Sequence, residues 1–313
     1  MFTIVQRRKV YFLLSGVLIG VGLIAMLASW ITTGSPFRVG VDFRSGTRFE
    51  VVFLESTTED AIRQVFNQFD INNPSIISYE GEGGQNAWQI RTEFVTPEQA
   101  QAIEDALIAE IGPLDTQKTL VQSVSPAVGG EVRQAAVVAI AVAAIVILIY
   151  IMFSFRQVPN PLRYGVCAVA AMVHDILIIF GFISIAGMLL GWEVDALFLT
   201  AVLTVAGFSL QDTIVVFDRI RENVTRRPLE DYEMLVNRSI LETIHRSLAT
   251  QLSAMFVLMA ILLFGGESIR SFIGVLLVGL FSGTYSSIFT AIPLLVSWEK
   301  GEIPFLKPAA AVS

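Results

Sequence analysis

Six runs of apolar residues, each about 20 residues or longer, decide most of what this chain can become. They cover 10–31, 134–155, 162–190, 196–217, 247–266 and 271–298. A helix rises about 1.5 Å per residue, so each run is long enough to cross a hydrocarbon core of roughly 30 Å. Lipid offers no hydrogen bonds to the backbone, and a helix satisfies its own. The third and sixth runs exceed the core thickness and have length to spare for tilt or frayed ends. With 54% hydrophobic residues and a mean hydropathy of +0.65, the chain is too apolar for a soluble protein of its size.

The first run follows Arg7, Arg8 and Lys9. Signal-peptide apolar regions span only about 7–15 residues, so 10–31 reads as an uncleaved anchor after a short N-terminus, 1–9. Orientation follows from Lys and Arg in the short connections. Arg7, Arg8, Lys9, Arg156, Arg163, Arg219, Arg221, Arg226, Arg227, Arg238, Arg246, Lys300 and Lys307 all fall on one side. The other side has Arg270, with Arg133 at a span edge. Both termini are therefore expected in the cytoplasm, together with a loop at 218–246 and a tail at 299–313. The membrane body after the first span is 133–298.

Residues 36–132 are different in kind. They hold 6 Lys+Arg and 15 Asp+Glu, a net of −9, while the rest of the chain nets +2. This acidic block belongs in water on the far side, in the periplasm or an equivalent lumen. It speaks against nucleic acid as a partner, which favours a basic patch. The end of VGVDFRSGTRFEVVFL alternates as a strand does. TEDAIRQVFNQFD carries Ile62, Val65, Phe66 and Phe69 at helical spacing. PSIISYE and NAWQIRTEFV flank GEGGQ, a hairpin turn, and TPEQAQAIEDALIAEIG opens with Thr96 as N-cap, Pro97 next and Gln99 at the third position. TLVQSVS returns as a strand. The order β-α-β-β-α-β is the ferredoxin-like split pattern. The expected fold is thus a polytopic α-helical membrane protein of six transmembrane helices, with one small α+β domain between the first and second.

Catalytic machinery is missing from the sequence. No lysine closes a phosphate loop of the G-x-x-x-x-G-K-[ST] kind, and no G-x-S-x-G elbow occurs. His174 and His245 have no H-E-x-x-H or cysteine cluster beside them. Cys167, alone in an apolar run, reads as a small hydrophobe. The expectation is a non-enzymatic protein without cofactor, driven by a partner or by the membrane gradient.

The apolar runs contain a few expensive polar groups. Asp212 precedes Asp218 by six residues and so lies roughly 9 Å deeper. An acid at the centre of a membrane helix is disfavoured by about 2.5–3.5 kcal/mol, somewhat less off-centre. Protonation, a cation or hydration would relieve it, and each makes the group responsive to protons. Gln211 and Thr213 flank it, and Ser209 is one turn earlier. His174 and Asp175 sit near the middle of the third run, where a His–Asp pair can relay protons or glue helices together. Arg246, just before the fifth run, has the reach to approach a carboxylate in the fourth. Gly16 with Gly20, and Gly279 with Gly283, match G-x-x-x-G, a signature of close helix packing.

Several stretches resemble the SecF family, the smaller membrane subunits of the SecD–SecF auxiliary complex of bacterial Sec export. They are GVDFRSGT at 40–47, HD at 174–175, GFSLQDTIVVFDRIREN at 207–223, NRSILETIHRSLAT at 237–250 and GTYSSIFTAIPLL at 283–295. The resemblance covers nearly the whole chain. It implies that Asp212 is the proton-responsive carboxylate and that Arg246 acts with it. It implies an RND-like half in a bacterial plasma membrane or an internal one, a SecD-like partner, a SecYEG-type translocon, translocating unfolded polypeptide and surrounding lipid. Proton-motive force would then drive translocation. Two departures stand out. Gln211 replaces a common Asn, keeping the same hydrogen-bonding groups. Ser45–Gly46 replaces two glycines, which predicts a relaxed turn. The rival readings are an RND-type small-molecule or lipid exporter half and a non-transporting assembly factor. A single outside module of about one hundred residues is small for the former, and the buried ionisable groups speak against the latter.

Overall fold

The computed structural model describes residues 4–71, 74–80 and 86–303. In chain order the elements are α1 (Arg8–Thr33), α2 (Val41–Arg44), β1 (Gly46–Phe53), α3 (Glu59–Gln68), β2 (Ser75–Glu80), β3 (Asn86–Thr92), α4 (Pro97–Glu110), β4 (Leu120–Val124), α5 (Pro126–Ser154), α6 (Pro161–Leu190), α7 (Ala196–Arg226), α8 (Tyr232–Phe264), α9 (Glu267–Ser286) and α10 (Ile292–Glu299). They fall into two compact units, Val39–Val137 and the remainder of the chain.

In the smaller unit the strands line up as β2-β3-β1-β4, every neighbouring pair antiparallel. Phe49, Val51 and Phe53 leave one face of β1 and join Ile62, Val65 and Phe66 of α3 and Ile103 and Leu107 of α4 in a closed core. The period-2 pattern in β1 and the helical spacing in α3 place these side chains on a common face. The opposite face is polar, with Arg48 donating to Gln122 at 2.8 Å and pairing with Glu50 at 3.3 Å. Thr96 caps α4 as its sequence implies: its hydroxyl accepts from Gln99 N, and the Gln99 side chain accepts from Thr96 N. The GEGGQ turn lies outside the described residues.

The turn into β1 departs from expectation. Ser45 has φ +67° and ψ 160°, a region almost reserved for glycine. Gly46 follows at φ +130°, and a Cβ there would sit 2.6 Å from the Thr92 carbonyl oxygen. The serine does not relax the turn; it carries the strain. Ser45→Gly is expected to stabilise the chain by about 1 kcal/mol, seen as a higher midpoint in detergent-solubilised thermal unfolding. A lower midpoint would mean that the hydroxyl contributes more than the strain removes.

Among the described residues six helical stretches are long and apolar enough to cross a membrane, all of them wholly or mostly in the larger unit. α6, α7 and the α9–α10 stretch form the centre, while α1, α5 and α8 turn most of their residues outward. α5 starts at Pro126, eight residues before the apolar run. α7 continues through Arg226 and α8 begins at Tyr232. The loop expected at 218–246 is therefore two helical extensions joined by a short turn. Ion pairs at helical spacing carry those extensions: Arg221 to Asp218 at 2.5 Å, Arg226 to Glu222 at 2.6 Å, and Arg219 across to Glu242 at 2.6 Å. At the same end of α1, Arg8 pairs with Glu233 at 2.7 Å and with Glu302.

Close approaches set the helix spacing. A Cβ on Gly181 would meet Gly22 Cα at 2.5 Å, so α1 and α6 touch backbone to backbone. Gly279 and Gly283 press on Val205 and Ser209 of α7, as their motif predicts. Gly16 and Gly20 do not follow suit, since nothing lies within 4 Å of a Cβ at either; Gly22 takes the packing role on α1. Between α9 and α10 the helix widens into a π-helical turn, Ser287–Ala291. Pro293 follows directly and has no N–H to give the preceding turn, and such a widening accommodates the missing hydrogen bond.

Candidate functional site

Two buried carboxylates lie in the packing of α6, α7, α8 and α9, linked by Ser209, which bonds to Asp175 and stands one helical turn before Asp212. Asp175, on α6, is 1% exposed. Its Oδ1 accepts from Ser282 at 2.6 Å, and its Oδ2 accepts from Ser209 at 2.7 Å and Ser286 at 2.8 Å. His174 Nδ1 lies 3.1 Å from Oδ1, and its ring stacks on Tyr285 with centroids 6.0 Å apart. Tyr285 in turn donates to the Tyr11 carbonyl at 2.9 Å. One acid thus gathers hydroxyls from α7 and α9 onto α6, and the chain of contacts extends to α1. Three hydroxyl donors compensate an acid that lipid would otherwise expel.

Asp212, on α7, is 4% exposed and far less provided for. Its Oδ2 accepts one hydrogen bond, from Gln251 Nε2 on α8 at 2.8 Å. Ser247 presents its hydroxyl to the same carboxyl, at a geometry too loose for a hydrogen bond. Ser247 Oγ and Gln251 Oε1 are buried without a hydrogen-bond partner among the described residues. Asp212 thus has one firm donor and two unpartnered oxygens beside it, where Asp175 has three hydroxyl donors.

The structure brings together Asp212, Asp175 and His174 through Ser209, which sits three residues before Asp212 and bonds to Asp175. It does not bring in the other two expected residues. Gln211 is exposed, turned about 100° round α7 from Asp212. Arg246 is exposed as well and lines a groove of about 580 Å³ between the end of α5, α7 and α8, with Asp218, Glu242 and Thr243. Gln251 meets the carboxylate that Arg246 was expected to approach. Gln251, Ser247, Ser282 and Ser286 are contributions the sequence reading did not single out. The only signal for them is spacing: Ser247 with Gln251, and Ser282 with Ser286, each stand four apart on one helix face.

Six membrane-length helices among the described residues, a separate α+β unit and a pair of buried acids between helices define a multi-pass membrane protein with ionisable groups inside its helical body. The comparisons make this specific. Residues 103–301 match the family described as "Protein export membrane protein SecD/SecF, C-terminal". The Protein translocase subunit SecF of Thermobaculum terrenum is 42% identical over 309 residues, covering 96% of this chain and 94% of that one. Its counterpart in Synechocystis is 33% identical, covering 98% and 97%. The crystal structure of SecDF, a translocon-associated membrane protein from Thermus, superposes with TM-score 0.77 at 27% identity. It covers 96% of this chain, which spans 39% of the length of that longer one. The chain belongs to the SecF family of protein translocase subunits.

Proposed function

We propose that this subunit pairs with a SecD-like partner beside a SecYEG-type translocon. In that complex it couples the proton-motive force to the movement of unfolded polypeptide across the membrane. The observation that carries the reading is Asp212: an acid buried among membrane helices and held by one neutral donor. A unit charge moving through 100 mV releases about 2.3 kcal/mol, enough to drive a change in how α7 and α8 pack. Protonation neutralises Asp212 and removes the attraction that draws Gln251 toward it. The two helices then settle differently, and the acidic unit follows. The β2-β3-β1-β4 order supports reading that unit as a ferredoxin-like domain, and its net charge supports a periplasmic position. There it would pull or hold emerging chain. The thirteen basic residues on one side support cytoplasmic termini in a bacterial plasma membrane or an internal one. The six spans constitute an RND-like half embedded in lipid, non-enzymatic and without cofactor.

The test is export of a reporter into membrane vesicles containing the translocon, with and without this chain and its SecD-like partner, before and after a protonophore collapses the gradient. The stimulation contributed by the pair should vanish on collapse. Stimulation that persists without a gradient would overturn the coupling and favour an assembly role. Efflux of a small apolar dye in place of polypeptide would favour the exporter reading.

A further inference from the structure

We infer that Gln251 is a positioning residue whose side-chain amide turns over as Asp212 gains and loses its proton, so that α8 reads the charge on α7. This rests on the proposal that Asp212 titrates. The geometry gives the amide two roles. With Asp212 ionised, Nε2 donates to Oδ2 at 2.8 Å and Oε1 is idle. With Asp212 protonated, the carboxyl has an O–H to donate and needs an acceptor, and Oε1 becomes one after a half-turn about the last side-chain bond. The turn costs no change in shape, because the two ends of the amide are nearly the same size. Ser247, one turn earlier on the same face of α8, has a hydroxyl with no partner among the described residues, ready to take the amide hydrogen that the turn releases. The proton stays on Asp212 throughout; Gln251 changes only which atom it offers.

Burial makes the device consequential. Gln251 is 3% exposed and Ser247 2%, so water does not substitute for either partner, and a mismatched amide leaves a buried donor facing a donor. The titratable and charged groups on neighbouring elements are Asp175 and His174 on α6, Tyr285 on α9, Arg246 on α8 and Asp218 further along α7. Asp175 is held by three hydroxyls, Tyr285 is committed to Tyr11, and Arg246 points into the groove. Gln251 is left as the side chain with a hydrogen bond to the carboxyl, with the neutral Ser247 hydroxyl beside it.

The test uses the full chain with its SecD-like partner in lipid and infrared difference spectroscopy across a pH titration. The band of the protonated carboxyl is assigned by its loss in Asp212→Asn. In Gln251→Met, which keeps length but removes both donor and acceptor, the band should move to the position of a carboxyl without an acceptor. The pH midpoint of gradient-driven export should move little, because both charge states lose a hydrogen bond to the amide; an alkaline shift of about one unit, the mark of a donor lost from the ionised form alone, overturns the inference. A band that stays put in Gln251→Met also overturns it while leaving the titration of Asp212 intact. A wild-type spectrum with no Asp212 carboxyl band at any pH overturns both. The wild type supplies a second measurement should Gln251→Met fail to accumulate. In chain carrying side-chain ¹³C glutamine, an amide C=O shift should titrate together with the carboxyl band, and its absence overturns the inference.

Discussion

An Asp212→Asn chain is expected to accumulate and assemble normally, yet to lose all gradient-dependent stimulation of export. The substitution is close to isosteric. Its amide oxygen still accepts from Gln251 Nε2, so the α7–α8 contact at 2.8 Å survives. What disappears is the second charge state. A neutral side chain locked as such has nothing for the gradient to act on, and the helices stay in one arrangement. The loss should therefore be complete, with no accompanying fall in membrane abundance or in co-purification of the partner. The measurement is export of a reporter with and without protonophore, alongside quantification of the chain. Wild-type stimulation in Asp212→Asn would remove the proton role altogether. Equal loss of export and of abundance would show that Asp212 holds the bundle together instead.

What the sequence disclosed, and what it withheld, follows from how each feature is encoded. Membrane spans are written as long apolar runs, and the six runs coincide with the cores of the six long helices. Their ends are not written that way. α7 and α8 reach well past the apolar residues because Arg219, Arg221 and Arg226 pair with Asp218, Glu222 and Glu242. A hydropathy reading sees such charges only as a break. The element sequence β-α-β-β-α-β of the small unit was legible because alternation, helical spacing and the Thr96 cap all agreed. Asp212 stood out because an acid in an apolar run is costly. Gln251 did not, because a neutral amide there is cheap enough to pass unnoticed and matters only through what it faces. The same holds for Ser282 and Ser286, whose importance lies in the acid on another helix. The strain at Ser45 was misread because sequence gives the residue but not its φ.

The contrast between the two acids leads to the second large effect. Asp175→Leu is expected to destabilise the folded chain by about 2–5 kcal/mol, taking roughly 0.6–1.7 kcal/mol for each of the three lost hydroxyl contacts within a membrane. Leucine branches at the same atom but its methyls cannot sit at hydrogen-bond distance, so Ser209, Ser282 and Ser286 all lose their acceptor at once, and the His174 ring loses its neighbour. Asp175→Asn keeps an acceptor oxygen and should lie between the extremes, while Ser282→Ala and Ser286→Ala alone should each lower stability by about 0.6 kcal/mol. Unfolding of the purified chain in mixed detergent, followed by loss of helical signal, ranks these variants directly. Should Asp175→Leu unfold within about 0.5 kcal/mol of wild type, the three hydroxyls are not its support and the acid must serve in transport instead. The ranking matters for mechanism because the two acids sit so near each other. The proposed coupling requires a bundle that shifts at Asp212, and such a shift needs something beside it that stays put. Asp175, tied to α7 through Ser209 and to α9 through Ser282 and Ser286, joins three helices; under that proposal it is the fixed point, and α8, which meets the acid with one donor, is the part that moves.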